Sequence, residues 1–202
     1  NGVANIQTGS ASDSIKIDGV TADSGGFVIA SNGSNDTIRI TPNGDGSSAK
    51  ISINAGGGGS DTLSLAAGVD LSASNITLTS VERILLTGGG TTQKIAASDV
   101  SGASLKLAED GTGTAVFTVV ADQATINLSN FTFASSFASG TDSVVVNASS
   151  FGPGVTVTGT SGDDSITGSN VDDNLSGGAS ADTISGGTGN DIINGGAGAD
   201  TL

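Results

Sequence analysis

The chain of 202 residues contains no cysteine, histidine, methionine, tryptophan or tyrosine. Without histidine or cysteine, most nucleophile–base pairs and transition-metal sites are closed off. Carboxylate pairs remain, and some glycosidases work with such pairs alone. Sugar clefts usually also present tryptophan or tyrosine for stacking, however, and the aspartates here sit at turn positions of repeats. No catalytic activity is expected. No disulfide can form. Cationic residues are scarce: 6 Lys and Arg stand against 20 Asp and Glu, for a net charge of −14. With no basic patch to meet phosphates, a nucleic-acid partner is not expected, and binding of cations is the natural alternative. No apolar run is long enough to span a membrane. The first residues, Asn1-Gly2-Val3-Ala4, lack the basic-then-apolar pattern of a signal peptide.

What is present is equally biased. Gly, Ser, Thr, Ala, Asn and Asp dominate, and the apolar content comes as Ile, Val, Leu and Ala in short runs, with six Phe as the only aromatic residues. This is the composition of many short strands joined by tight turns, an all-β chain.

From Gly159 onward the sequence reads in nines. Gly159, Gly168, Gly177, Gly186 and Gly195 open five successive units. Each unit has an aspartate at its sixth position, Asp164, Asp173, Asp182, Asp191 and Asp200. Two residues further on comes an aliphatic residue, Ile166, Leu175, Ile184, Ile193 and Leu202. A flexible linker has no reason to hold an aliphatic residue in such a register.

The pattern, G-G-x-G-x-D-x-U-x with U aliphatic, resembles the nonapeptide repeat of RTX proteins, a calcium-binding family secreted by Gram-negative bacteria. The resemblance implies a turn from the first six residues and a short strand from the last three, with two units per coil of a right-handed parallel β-roll. Units n and n+2 then stack. Asp164, Asp182 and Asp200 form one column, and Asp173 and Asp191 form the other. Stacked neighbours would lie ~4.8 Å apart, where two bare carboxylates repel by roughly 3 kcal/mol at an effective dielectric near 20. Residues 159–202 contain seven Asp and no Lys or Arg, so a metal must supply the opposing charge. Carboxylates and turn carbonyls are hard oxygen donors, which select Ca2+. The expected metal residues are the five column aspartates, the neighbouring Asp163 and Asp172, and the turn glycines Gly177, Gly178, Gly186, Gly187, Gly189, Gly195, Gly196 and Gly198. Asp182, Asp191 and Asp200 occupy the units closest to the pattern. Unit 168–176 has Val171 at its fourth position and lacks the second glycine, and unit 177–185 has Ser180 at the fourth. The chain stops inside its fifth unit, and the C-terminal signal for type I secretion that RTX relatives carry is absent, so a longer parent protein is expected.

A looser copy of the unit recurs in residues 1–65. Asp13, Asp36 and Asp61 each follow a Gly/Ser-rich turn and precede alternating aliphatic residues: Ile15 and Ile17, Ile38 and Ile40, Leu63 and Leu65. That alternation marks half-buried strands, and the spacing suits a wider coil of roughly 24 residues. Two readings of these aspartates stand: further calcium sites, or turn caps bonded to their own backbone. Lys16, Arg39 and Lys50 lie nearby in sequence and could neutralise some of the charge.

Within the upstream region, intervening strands are expected at 27–30 and 50–53, and between the two repeat regions strands are expected at 75–78, 81–86, 104–107, 115–120, 124–128, 144–146 and 155–157. Gly88-Gly89-Gly90 and Gly111-Thr112-Gly113 punctuate them as turns. Residues 80–88, Ser-Val-Glu-Arg-Ile-Leu-Leu-Thr-Gly, resemble a segment of RTX-type surface-layer proteins. Glu82 and Arg83 read as a local solvated pair. Phe131, Phe133 and Phe137 read as a core layer or cap, with an exposed contact patch as the alternative.

The expected architecture is therefore an all-β right-handed parallel β-solenoid. Residues 1–158 form an irregular β-helix, and residues 159–202 a calcium-bound RTX β-roll. The expected role is a structural segment of a secreted RTX protein, most like a surface-layer protein on the bacterial cell exterior. Its expected partners are further copies of itself in a lattice or filament and cell-surface polysaccharide or lipopolysaccharide. An adhesin stalk and the calcium-binding tail of a secreted enzyme or toxin are the alternatives.

Overall fold

An extended chain sends alternate side chains to opposite faces. In the stretch Ser14-Ile15-Lys16-Ile17-Asp18 the two isoleucines are buried and the other three residues are exposed. A computed structural model of the chain describes residues 4–18, 27–41, 50–73, 75–90, 92–111, 113–138 and 140–202. Asn1 to Val3, Thr112 and Ser139 lie outside the described residues.

The described residues form short strands and one turn of helix, taken here coil by coil. The first coils hold β1 (Ala4–Gln7) and β2 (Ser14–Asp18), then β3 (Phe27–Ala30) and β4 (Thr37–Thr41). A third strand joins in the next coils: β5 (Lys50–Asn54), β6 (Thr62–Ala66) and β7 (Asp70–Leu71), then β8 (Asn75–Thr79), β9 (Arg83–Thr87) and β10 (Thr92–Ala96). The helical turn α1 (Ala97–Val100) leads into β11 (Lys106–Glu109) and β12 (Val116–Val120). Then come β13 (Thr125–Asn127), β14 (Thr132–Phe133) and β15 (Ser143–Asn147). The last coils carry β16 (Thr156–Thr158) and β17 (Asp164–Thr167), then β18 (Asn174–Ala179) and β19 (Thr183–Ser185), and finally β20 (Ile192–Ala197).

Strands stack on their counterparts in neighbouring coils. The orders are β1-β3-β5-β8, β2-β4-β6-β9-β11-β14, β7-β10-β12-β15-β17-β19 and β13-β16-β18-β20. The pairings between these strands are parallel. The molecule is an all-parallel β-solenoid with almost no helix. Coil length follows the repeats: stacked positions are 23 and 25 residues apart at Asp13, Asp36 and Asp61, and 18 apart in the last coils. Pairing passes residues 158 and 159 unbroken, because β15 pairs with β17 and β16 with β18.

The core is a set of aliphatic columns along the axis. Ile15, Ile38, Leu63, Ile84 and Leu107 stack in register, as do Leu71, Ile95, Val119, Val146, Ile166 and Ile184. All are buried, apart from a slight exposure of Ile15. Full burial of such a side chain stabilises by about 1.5–3 kcal/mol. The phenylalanines are a core layer: Phe131 is buried with its ring 6.4 Å from that of Phe117, and Phe137 is buried and stacked at 5.1 Å on the half-buried Phe133.

Candidate metal centre

Each repeat aspartate lies two residues before an aliphatic residue, and Ile166, Leu175 and Ile184, which follow Asp164, Asp173 and Asp182, are buried. Strand periodicity therefore turns its carboxylate to the core side at the strand's mouth. Asp164, Asp173 and Asp182 are buried accordingly. Their backbones and side chains interlock along the axis. The Asp164 N–H donates to Asp182 Oδ1 at 2.9 Å, and the Asp182 N–H to Asp200 Oδ1 at 3.1 Å. In the other column the Asp173 N–H donates to Asp191 Oδ1 at 3.0 Å. The two columns expected from the nine-residue register are both present. Each meets an apolar coil upstream: Val144 pairs with Asp164, and the Val155 N–H donates to Asp173 Oδ1 at 2.7 Å.

The second carboxylate oxygen divides the units into two kinds. Asp164 Oδ2 accepts from the Thr160 N–H at 2.6 Å and from its hydroxyl at 3.0 Å. Asp173 Oδ2 accepts from the Ser169 N–H at 2.6 Å, while the Ser169 hydroxyl donates to Oδ1 at 2.8 Å. In the units of Asp182, Asp191 and Asp200 the equivalent second position is Gly178, Gly187 and Gly196. Gly178, with φ +123°, has a backbone conformation that side-chain-bearing residues rarely adopt. Asp182 Oδ2 is buried there without a hydrogen-bond partner. Sequence reasoning ranked these units by their glycines; it missed that Thr160 and Ser169 are themselves partners of the carboxylates. A hydroxyl residue four positions before the aspartate is the signal that would have shown it.

The glycines make room for oxygen. A β-carbon on Gly177, Gly186 or Gly195 would collide with Oδ2 of Asp182, Asp191 or Asp200, the aspartate of the same unit. A β-carbon on Gly178, Gly187 or Gly196 would collide with the carbonyl oxygen of Thr160, Ser169 or Gly178 in the preceding coil. Gly189 and Gly198 lie equally close to the backbones of Val171 and Ser180. Carboxylate and carbonyl oxygens thus crowd the space between coils. Asp163 and Asp172 are placed differently. Their Oδ1 atoms accept from the N–H of Ala181 (3.1 Å) and Asn190 (2.7 Å) one coil on, and Asp172 is exposed.

Burial pushes the Asp164 carboxyl up to about 7; hydrogen bonds from Thr160 oppose this, and the charges of Asp182 and Asp163 add to it. Asp182 is also pushed up, by burial first and then by Asp200 and Asp163. Among the described residues no three acidic side chains converge to hold a metal by themselves, so a cation must draw on turn carbonyls as well. The hard-oxygen donors, the partnerless buried Oδ2 and the glycine cradles fit calcium.

The upstream aspartates form a third column. The Asp13 N–H donates to Asp36 Oδ1 and the Asp36 N–H to Asp61 Oδ1, both at 2.8 Å. These oxygens bond across coils and not to their own turns. The column continues into Glu82, whose Oε2 accepts from the Asp61 N–H at 2.8 Å. Glu82 therefore joins the acidic column, where a solvated pair with Arg83 was expected. It stands two residues before the buried Ile84, the placement the aspartates share. Lys16 and Arg39 do not reach this column: strand alternation puts both on the exposed face, and Lys16 pairs with Asp18 at 2.8 Å. Lys50 is likewise exposed, at the start of a strand in another sheet.

Residues 156–170 and 167–202 match the family model of the RTX calcium-binding nonapeptide repeat, present in four copies. The C-terminal coils of this chain are RTX calcium-binding repeats. No curated protein and no solved structure matches the chain.

Proposed function

We propose that this chain is a structural segment of a secreted bacterial protein that folds on calcium outside the cell and assembles there into a surface layer. The observation that carries the calcium part is the buried, partnerless Oδ2 of Asp182 within a column of stacked aspartates. Bound calcium supplies the positive charge that lets such a column ionise. Asp182, Asp191 and Asp200 provide carboxylates, and the turns opened by Gly177, Gly186 and Gly195 provide carbonyls. Ligand that binds only the folded state stabilises it by mass action, so the last coils stay unfolded at cytoplasmic calcium and fold outside.

The assembly part rests on the resemblance of residues 80–88 to surface-layer sequences and on a side-chain repertoire without histidine or cysteine. Further copies of the chain and an anionic cell-surface polysaccharide or lipopolysaccharide, bridged by calcium, are the proposed partners. Among the described residues no helix is long and apolar enough to cross a membrane. The test is light scattering with electron microscopy of the purified protein as calcium is added. Two-dimensional arrays that dissolve on chelation support the proposal. Particles that stay monomeric and extended at saturating calcium overturn the layer role and favour a stalk.

A further inference from the structure

The turns that precede Asp36 and Asp182 are 146 residues apart in the numbering, and only the second lies in the repeats matched to the RTX family. Their geometry is nonetheless the same. Number each turn so that the aspartate is position six. Position four is Ser34 in one and Ser180 in the other, with φ +81° and +76°. These are two of the three residues other than glycine with positive φ among the described residues. Such a conformation costs a side-chain-bearing residue roughly 1–2 kcal/mol, so its recurrence at one turn position marks a common backbone path. Both serine hydroxyls donate to the carbonyl of position three in the preceding coil: Ser34 to Ser10 O and Ser180 to Ser161 O, each at 3.1 Å. Position five is linked from coil to coil in both regions: the Ser60 N–H donates to Asn35 Oδ1 at 2.8 Å, and the Ala181 N–H of the Asp182 turn donates to Asp163 Oδ1 of the turn before it at 3.1 Å. At position six, each aspartate accepts through Oδ1 from the N–H of the acidic residue one coil before.

The parallel extends to what is missing. Asp36 and Asp182 are each 1% exposed, and in each Oδ2 is buried with no hydrogen-bond partner. Upstream the deficit is larger. Asp13 Oδ2 is also buried and partnerless, and so are two hydroxyls at position one, Thr8 Oγ1 and Ser31 Oγ; Ser31 is 1% exposed. Four oxygens from the same two turn positions, in successive coils, thus lack partners. An unmet buried polar group costs about 1–3 kcal/mol, and four of them in one place mark a ligand built of hard positive charge. The two ion pairs among the described residues engage Asp18 and Asp70, outside this column.

We infer that the turns at 8–13, 31–36 and 56–61 form a second divalent-cation column, outside the matched repeats, with Asp13, Asp36 and the Thr8 and Ser31 hydroxyls as its side-chain donors. Turn carbonyls complete the oxygen shell. The inference deepens the calcium reading and rests on it for the nature of the ion. With this column, calcium clasps both ends of the described solenoid, while the buried Asp142 of the middle coils is met by the Ala115 and Ala138 N–H groups instead.

The experiment is hydrogen–deuterium exchange of the full chain with calcium, with magnesium and with chelator, for the unaltered protein, Asp36→Asn, Ser31→Ala and Asp182→Asn. In the unaltered protein, exchange at 31–41 and at 177–185 should each slow by at least about tenfold with calcium. Asp36→Asn should abolish the response at 31–41 and leave 177–185 unchanged, with Asp182→Asn doing the reverse. Ser31→Ala removes a donor without removing charge and should weaken the upstream response several-fold. If no ligand is there, the same change deletes an unmet hydroxyl and leaves the calcium response untouched. A response confined to 177–185 overturns the second column and leaves the RTX reading intact, with water filling the upstream turns. No response in either segment overturns both.

Discussion

Thr160 and Ser169 stand four residues before an aspartate and hold both its oxygens between them with other donors, whereas Gly178 in the same place offers Asp182 nothing. One residue therefore decides whether a unit satisfies its carboxylate internally or leaves it for a cation. Replacing Thr160 with glycine removes its hydroxyl from both Asp164 oxygens and leaves the backbone N–H as the one donor of this residue to Oδ2. The Thr160→Gly chain should then bind calcium more tightly or in greater number by titration calorimetry, and be less stable in chelator by about 1 kcal/mol. Unchanged binding would show that Thr160 does not compete with calcium. Away from the columns, Asp99 gives a second test. Burial, opposed by a hydrogen bond from the Ile76 N–H and reinforced by Asp122, raises its carboxyl from near 3.8 to about 6. The folded state thus holds its proton to higher pH than the unfolded chain does. Stability from this group is full below pH 4 and is lost as pH rises towards 6. Asp99→Asn should therefore leave stability at pH 4 unchanged and raise it at pH 7.5 by about 1 kcal/mol, allowing for solvent screening, in chelator-treated denaturant melts. At this scale the aspartate columns were legible from the nine-residue register together with the two units per coil that the RTX resemblance implies. The partners of their second oxygens were not, because a threonine in a turn looks the same whether or not it donates to a carboxylate. The fate of Lys16 and Arg39 was readable in principle: they alternate with buried isoleucines and so face outward.

Among the elements, the strands with aliphatic alternation, such as β3, β5, β8, β12, β15 and β16, were readable within a residue or two. β1, β7, β10, β14 and α1 were not anticipated. β10 (Thr92–Ala96) places Gln93 in the core beside Ile95, and a buried glutamine erases the apolar–polar alternation that marks a strand. α1 takes a single turn and packs against β8 and β10, too short for helical periodicity to show. Where β12 crosses the core, Phe117 is fully buried between Gln93 and Val144. Phe117→Ala should cost about 3–5 kcal/mol. In a stacked array each coil contacts only its neighbours, so faster amide exchange should appear in β10, β12 and β15 and fade towards β2 and β20. Uniform loss across the chain would contradict a nearest-neighbour solenoid.

For the whole molecule, charge is the organising quantity. The net −14 falls unevenly, with residues 159–202 contributing only acidic side chains, and the structure stacks five of those acids in two columns. Aliphatic columns hold the middle of the solenoid by burial alone, but the last coils combine a thinner core with a column of like charges; Ile193 is only partly buried and Ile192 is 67% exposed. We propose that their folding is linked to a bound cation. The most direct measurement is a calcium titration of the purified chain followed by far-ultraviolet circular dichroism, run beside a chain carrying Asp182→Asn, Asp191→Asn and Asp200→Asn together. The account predicts that β signal grows with calcium in the unaltered chain, reverses with chelator, and loses its RTX-dependent part in the triple variant. A full β signal in chelator that calcium does not change, identical in both chains, would contradict it.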